Sequence, residues 1–276
     1  MNATTREHWD AFAGHRRNVS ARLGAGGAPR PTRLCVVGAG NANDLDLPAL
    51  LEAHREVHLV DLDAEALALG AGRQGVAGHP GLRLHGGIDA TGMLDAMAAW
   101  SPWTSVTPAD RAALTGWPAG RVALALPGGF DLVASTCLLT QLMESARHAL
   151  GAGHFQLVAV ERAIRAGHLR LLDRLAAPGG RACLITEVAS SDAIPGLGEV
   201  PEADLPGLLR RLAPGSGHFR GVHPAELAEA LRDARGTGPN GIGWEPTRPW
   251  RWHLHARAYL VWAMAYRVGG PSAAGR

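Results

Sequence analysis

The stretch RLCVVGAGNAND, residues 33–44, decides the fold. A short apolar run, Leu34 to Val37, empties into a glycine-rich turn, and a helical pattern follows over 47–54. This is the grammar of a buried strand, a tight turn and a crossover helix. Gly38 and Gly40 let the backbone turn sharply and approach a ligand without side-chain interference. The third glycine of a dinucleotide GxGxxG pattern is replaced by Asn43. Close packing around a pyrophosphate is thereby disfavoured, and a ligand without phosphates is easier to accommodate. Taken alone, the turn also fits an ordinary strand-to-helix connection.

The same rhythm continues outward. Strands are expected at 57–60, 82–85, 130–134 and 181–186, and helices at 64–71, 92–100 and over a long region ending near 176. Strands alternating with helices require parallel pairing and right-handed crossovers, with helices on both faces of the sheet. Further helices are expected at 204–212 and 224–234, and a terminal antiparallel pair at 243–254 and 258–267. A Trp/Pro-rich insert near 100–120 carries one short helix, and a second insert spans 189–222. Before the first strand, Trp9, Phe12, Val19 and Leu23 have helical spacing and end at the Gly/Pro stretch 24–31. The chain therefore divides into an N-terminal helical segment, 1–28, that either closes as a lid or packs on the far side of the sheet for stability alone, and an α/β domain, 29–276.

Composition excludes several classes. At 276 residues, with 46% hydrophobic residues, a sizeable core is available. No apolar run approaches the ~18 to 20 residues of a membrane span, and the polar start lacks a secretory h-region, so the cytoplasm is the expected compartment. All 27 basic residues are arginine, which points to codon pressure from a GC-rich bacterial genome. They are dispersed, without the basic, aromatic-interleaved stripe of a nucleic-acid surface. Cys35, Cys137 and Cys183 lie in apolar runs and read as reduced core thiols; no metal site is expected. Eight tryptophans outnumber the other aromatics; Trp100, Trp103 and Trp117 bracket the insert, while Trp244, Trp250 and Trp252 lie in the terminal strand. They serve core packing or an acceptor clamp.

Carboxylates mark the same edge of the sheet. Asp61 ends the second strand, where a carboxylate can accept from ribose hydroxyls. Asp63 reads as a helix N-cap. Asp89 follows the third strand and suits either an adenine amino group or a helix cap.

GAGN, VHLVDLD, GGID, FDLVASTCLLTQL and LLDRLAAPGGRACLIT, in this order over 33–188, resemble the class I S-adenosylmethionine-dependent methyltransferases. The resemblance implies a Rossmann-like doubly wound sheet of five parallel strands plus the C-terminal antiparallel pair. It implies S-adenosylmethionine as cofactor, with Gly38, Gly40 and Asn41 along its methionine part and Asp61 and Leu62 at the ribose. Ile88 and Asp89 would flank the adenine, and Ser135 and Thr136 the sulfonium. It also implies an N-terminal segment that closes as a lid.

The departures narrow the chemistry. Cys137 and Gln141 stand where many relatives carry histidines, and neither an NPPY-type tetrad, a Pro-Cys nucleophile nor a catechol-type metal set is present. The expectation is methyl transfer to an oxygen or nitrogen of a small-molecule acceptor, without nucleic acid, membrane or metal; oligomeric state stays open. Glu187 at the end of the fifth strand is the first candidate base and His148 the second, ahead of His168 and His223. Trp9, Gln141 and His218 are expected at the acceptor. The alternatives are another reaction of the same cofactor, such as cyclisation, a NAD-dependent oxidoreductase, and a silent cofactor-binding module.

Overall fold

A computed structural model describes residues 2–24, 32–215, 219–235 and 244–269. The stretch 25–31 and His218 lie outside the described residues. Strands β1 (Arg33–Val37), β2 (Glu56–Val60), β3 (Leu82–His85), β4 (Phe130–Thr136) and β5 (Ala176–Ser190) pair in parallel in the order β3-β2-β1-β4-β5. β8 (Arg257–Arg267) joins β5 antiparallel, and β6 (Trp244–Pro246) and β7 (Trp250–Leu254) both pair with the far edge of β8. The fold is the doubly wound α/β sheet with a terminal antiparallel element that the sequence predicts.

Strand alternation sorts the core into two layers. One face of β1, β4 and β5 (Cys35, Val37, Val133, Ala182, Leu184) is covered by α5 (Leu94–Ala98), α6 (Pro108–Gly120), α7 (Leu139–Leu150), α8 (Leu157–Leu175), α9 (Leu205–Arg211) and α10 (Pro224–Arg235). The other face (Leu34, Val36, Leu132, Ala134, Ile185) is covered by α2 (Ala13–Leu23), α3 (Leu47–Ala53) and α4 (Ala64–Arg73), with Trp250 and Trp252 of β7. α2 thus buries Val19 and Leu23 as the sequence spacing requires. A four-residue turn of helix, α1 (Asn2–Thr5), precedes it.

Four elements differ from their expected bounds, the first being the terminal run 243–254, expected as one strand and found as two, β6 and β7. The Trp/Pro-rich insert holds a 13-residue helix, opened by Thr107 and Asp110 as a reciprocal capping box. It lies so close to α8 that a Cβ on Gly167 would stand 2.0 Å from the Leu114 carbonyl. α5 is shorter than expected because Asp89, Thr91 and Met93 form a capped turn ahead of it. β5 is longer at its end because its ladder with β8 runs on to Ser190 opposite Tyr259, and at its start because Ala176 pairs with Phe130 of β4. The three cysteines are free and buried. No described helix is long and apolar enough to cross a membrane.

Candidate functional site

In a sheet of order β3-β2-β1-β4-β5 the chain leaves β1 and β4 in opposite directions. The crevice beyond their carboxyl ends is the site such sheets offer to ligands. Here that crevice is a cavity of about 980 Å³, running from the Gly38–Asn41 turn past Thr136 and Cys137 to Glu187 and Ser190.

The turn after β1 is built by polar side chains as much as by glycine. Gly38 has φ +82°, and an added Cβ would meet the Leu138 side chain at 2.6 Å. The Asn43 amide donates to the Thr5 carbonyl at 2.7 Å and its Oδ1 accepts from Arg73 at 2.8 Å. Arg16 donates to the Asn43 carbonyl at 2.7 Å, and Gln74 ties Ala42 O to Leu47 N. Asn43 thus cross-braces the loop where a dinucleotide loop has its third glycine.

Of the residues expected from sequence, Gly38, Gly40, Asn41 and Thr136 border the cavity, as do Gln141, His148 and Glu187. Five are placed elsewhere. Ser135 points to the opposite face of β4, where its Oγ lies 2.8 Å from His168 Nε2 in the core, because it has the strand parity of Val133. Trp9 lies beneath Arg16, whose guanidinium carbon is 3.4 Å from its ring centroid, with Arg73 at 6.0 Å, and does not border the cavity. Leu62 is 51% exposed, and Ile88 packs against the core. Asp89 gives both oxygens to its own turn, accepting from Thr91 N, Thr91 Oγ1 and Leu94 N at 2.7–2.8 Å. Both oxygens are thus engaged by its own turn, and the N-cap position of α5 is Met93.

Asp61, expected at the ribose, does not border the cavity either and is engaged within the chain. Its Oδ2 accepts the Gly40 N–H at 2.8 Å, and its Oδ1 accepts from Asp63 N at 2.9 Å and from Asn2 Nδ2 at 3.3 Å. Asp63 caps α4 through Ala66 N, as expected. Asn41 Nδ2 donates to the Asn2 carbonyl at 2.7 Å and lies 3.2 Å from Thr5 Oγ1, while its Oδ1 is buried without a partner among the described residues. The N-terminal turn therefore sits on the two polar side chains, Asn41 and Asp61, that the resemblance assigns to the cofactor.

Sequence reasoning passed over Asp44 and His15. Both border the cavity. Asp44 closes the GAGNAND stretch, and His15 follows Phe12 at helical spacing, so both signals lie in the sequence. Burial pushes the Asp44 carboxyl up to about 7, opposed by the Thr136 hydroxyl and reinforced by the nearby Glu187 charge. Glu187, 8% exposed, is also raised by burial and held back by a 2.9 Å hydrogen bond from Thr140. Burial, then Glu187 and Asp44, push the Cys137 thiol well up, so it stays protonated and is a poor nucleophile.

Burial lowers His15 to about 3 and His168 to about 4, so both are neutral at physiological pH. His15 Nδ1 accepts from Trp250 Nε1 at 3.2 Å, which places the ring proton on Nε2, 3.9 Å from Cys137 Sγ. His148 is exposed at the cavity rim, and Gln141 bonds the Cys137 carbonyl at 2.8 Å. Among the described residues no cluster of side chains could hold a metal ion.

No protein-family model and no curated protein matches the chain. Solved structures similar to it include the YcgJ protein of Bacillus subtilis, with TM-score 0.46, 12% identity and coverage of 94% of this chain and 98% of that one. Magnesium protoporphyrin IX methyltransferase of Synechocystis PCC 6803, with bound S-adenosylhomocysteine, is similar at TM-score 0.45 and 14% identity over 92% of this chain and 83% of that one. A methyltransferase from Bacillus halodurans C-125, titled putative, is similar at TM-score 0.42 and 12% identity over 90% of this chain and 98% of that one.

Proposed function

We propose that this chain binds S-adenosylmethionine at the β1/β4 crevice and transfers its methyl group to an oxygen or nitrogen of a small-molecule acceptor. The observation that carries the reading is one continuous cavity from the Gly38–Asn41 turn to Glu187. Its volume lies at the upper end of the roughly 300–1,000 Å³ of ligand pockets, room for a nucleoside cofactor and an acceptor together. The residues fit that cofactor. Gly38 and Gly40 admit it closely, the Asn41 Oδ1 offers an acceptor for its amino group, and Asp61, behind the Gly40 turn and outside the cavity lining, becomes a carboxylate for ribose hydroxyls only once Asn2 moves away.

Bound there, the cofactor supplies a methyl group already activated by the sulfonium. The chain then has to align the acceptor and exclude water, and such positioning is worth up to ~7 to 11 kcal/mol of barrier. Glu187 stands at the far end of the cavity as a proton acceptor for an acceptor group that arrives protonated.

The N-terminal segment is the lid in this reading. Asn2, Thr5, Phe12 and His15 border the cavity, while Val19 and Leu23 anchor α2 on the sheet. Asp61 meets a ribose only once Asn2 gives up its bond, so α1 moves as the cofactor enters.

A NAD-dependent oxidoreductase is the weaker reading. In such folds the pyrophosphate sits at the N-terminus of the helix after β1. Here that end carries Asp44 and Asp46, and Asp46 already caps α3 through Ala49 N at 3.1 Å. Two carboxylates there repel phosphate. Titration with S-adenosylhomocysteine tests the proposal through tryptophan emission, since Trp100 and Trp252 border the cavity. A saturable change supports it; an unchanged spectrum with no heat of binding defeats it.

A further inference from the structure

The polar groups at the base of the cavity are lopsided. Asp44 and Glu187 border it, and neither forms an ion pair among the described residues. The other charges are spoken for: Asp192 pairs with Arg257 at 2.9 Å, and Glu144 with Arg147 at 2.7 Å. His15 is neutral and its nitrogens are committed to Trp250 and Cys137. Asn41 adds a buried Oδ1 without a donor, on a residue 5% exposed. Glu187 and Asp44 keep hydroxyl neighbours in Thr140 and Thr136 but no cation pairs with them among the described residues, and a cationic donor is the partner a carboxylate takes most strongly.

The wall above this base is aromatic. Phe12 and Trp252 have ring centroids 4.9 Å apart, Trp252 and Tyr259 5.3 Å, and Tyr259 and Phe219 6.4 Å. All four border the cavity. Aromatic rings that border the same cavity as two carboxylates attract an organic cation through both its charge and its apolar body, although Trp252 also stacks on His15 at 4.3 Å.

We infer that the acceptor is a primary or secondary amine on an apolar, preferably aromatic, body, with its nitrogen at Glu187 and its body along the Phe12–Trp252–Tyr259–Phe219 arc. The inference rests on the methyl-transfer reading above and makes it N-directed. The amine enters as its ammonium and gives one proton to the Glu187 carboxylate. The freed lone pair forms the N–C bond while the S–C bond breaks, and that bond's electron pair stays on sulfur. The proton on Glu187 then passes to water. Asp44, on the Gly38–Asn41 side, is left to hold the cofactor's own ammonium, so two carboxylates serve two cations. Thr140 is a positioning residue that fixes the Glu187 carboxylate through its 2.9 Å hydrogen bond.

The test uses three probes that share one body, namely tryptamine, tryptophol and indole-3-acetate, titrated into the full chain saturated with S-adenosylhomocysteine at neutral pH. Tryptamine is expected to bind about ten- to a hundredfold more tightly than the other two, and Glu187→Gln to abolish most of that preference. Thr140→Val should reduce it less, which keeps the carboxylate's role measurable if Glu187→Gln does not fold. Equal binding of the three probes, a preference for the alcohol or the acid, no binding of any probe, or a preference surviving Glu187→Gln overturns the amine assignment. Failure of S-adenosylhomocysteine to bind at the outset defeats the methyl-transfer reading instead, so the two failures are distinct.

Discussion

Asp61 Oδ2 accepts the backbone N–H of Gly40 at 2.8 Å, tying the end of β2 to the turn after β1. The carboxylate that the resemblance gives to a ribose is therefore also a brace of the cofactor loop. Asp61→Ala is expected to weaken S-adenosylhomocysteine binding by ~1 to 3 kcal/mol, through the lost ribose partner and a loosened turn. Unchanged affinity by calorimetry, with the fold intact, would place the ribose elsewhere.

Asn2 Nδ2 donates to the same carboxylate at 3.3 Å and to Asp63 at 3.4 Å. If the N-terminal turn competes with the cofactor, Asn2→Ala tightens S-adenosylhomocysteine binding by ~0.5 to 1.5 kcal/mol, the net worth of a hydrogen bond. A weaker complex would mean that Asn2 holds the ligand instead of yielding to it.

Two glycines should respond oppositely to the same substitution. Gly38→Ala forces a left-handed φ of +82° on a side chain and drives its Cβ to 2.6 Å from Leu138, costing ~1 to 3 kcal/mol in urea unfolding. Gly72 lies inside α4 with nothing within 4 Å of an added Cβ. There alanine should stabilise by ~0.5 to 1 kcal/mol. A neutral Gly38→Ala would contradict the close approach of the turn to α7.

The architecture was legible because strand, turn and helix alternate without long interruption from Arg33 to Ser190, and because the apolar positions of each strand show which faces are buried. The site was legible where backbone chemistry decides it, at Gly38, Gly40 and Asn41, and at the strand-end carboxylate Glu187. It was not legible where strand parity or local capping decides, and one residue of parity turns Ser135 into the core toward His168. Asp89 has the composition of a ligand-binding carboxylate, yet its own Thr91 and Leu94 N–H groups reach it first. Trp9 has the spacing of a core residue, but two arginines far along the chain or on a neighbouring turn claim its ring. Asp44 was hidden for another reason. Its carboxyl is raised chiefly by burial at the sheet's edge, with the charge of Glu187, distant in sequence, adding to it.

That carboxyl gives a pH signature. With its folded value at about 7 and its ordinary value at 3.8, Asp44 binds a proton in the folded chain that the unfolded chain has released. Stability from this group is full at low pH and is lost as pH rises from about 3.8 to about 7. Asp44→Asn lacks the loss. The melting-temperature difference between Asp44→Asn and the parent should therefore grow in favour of the variant across that interval. A difference that is flat, or that grows toward acid, would contradict the buried carboxyl. The neutral His168, lowered to about 4, has the opposite sign. Its contribution is present above its ordinary value of 6.5 and is lost as pH falls from there toward about 4.

The most direct measurement of the central claim is calorimetric titration of the full chain with S-adenosylmethionine, S-adenosylhomocysteine and NAD in parallel. The account predicts saturable one-to-one binding of both sulfur nucleosides and no detectable heat with NAD, whose pyrophosphate would face Asp44 and Asp46. Tight binding of NAD with none of either sulfur nucleoside would contradict it.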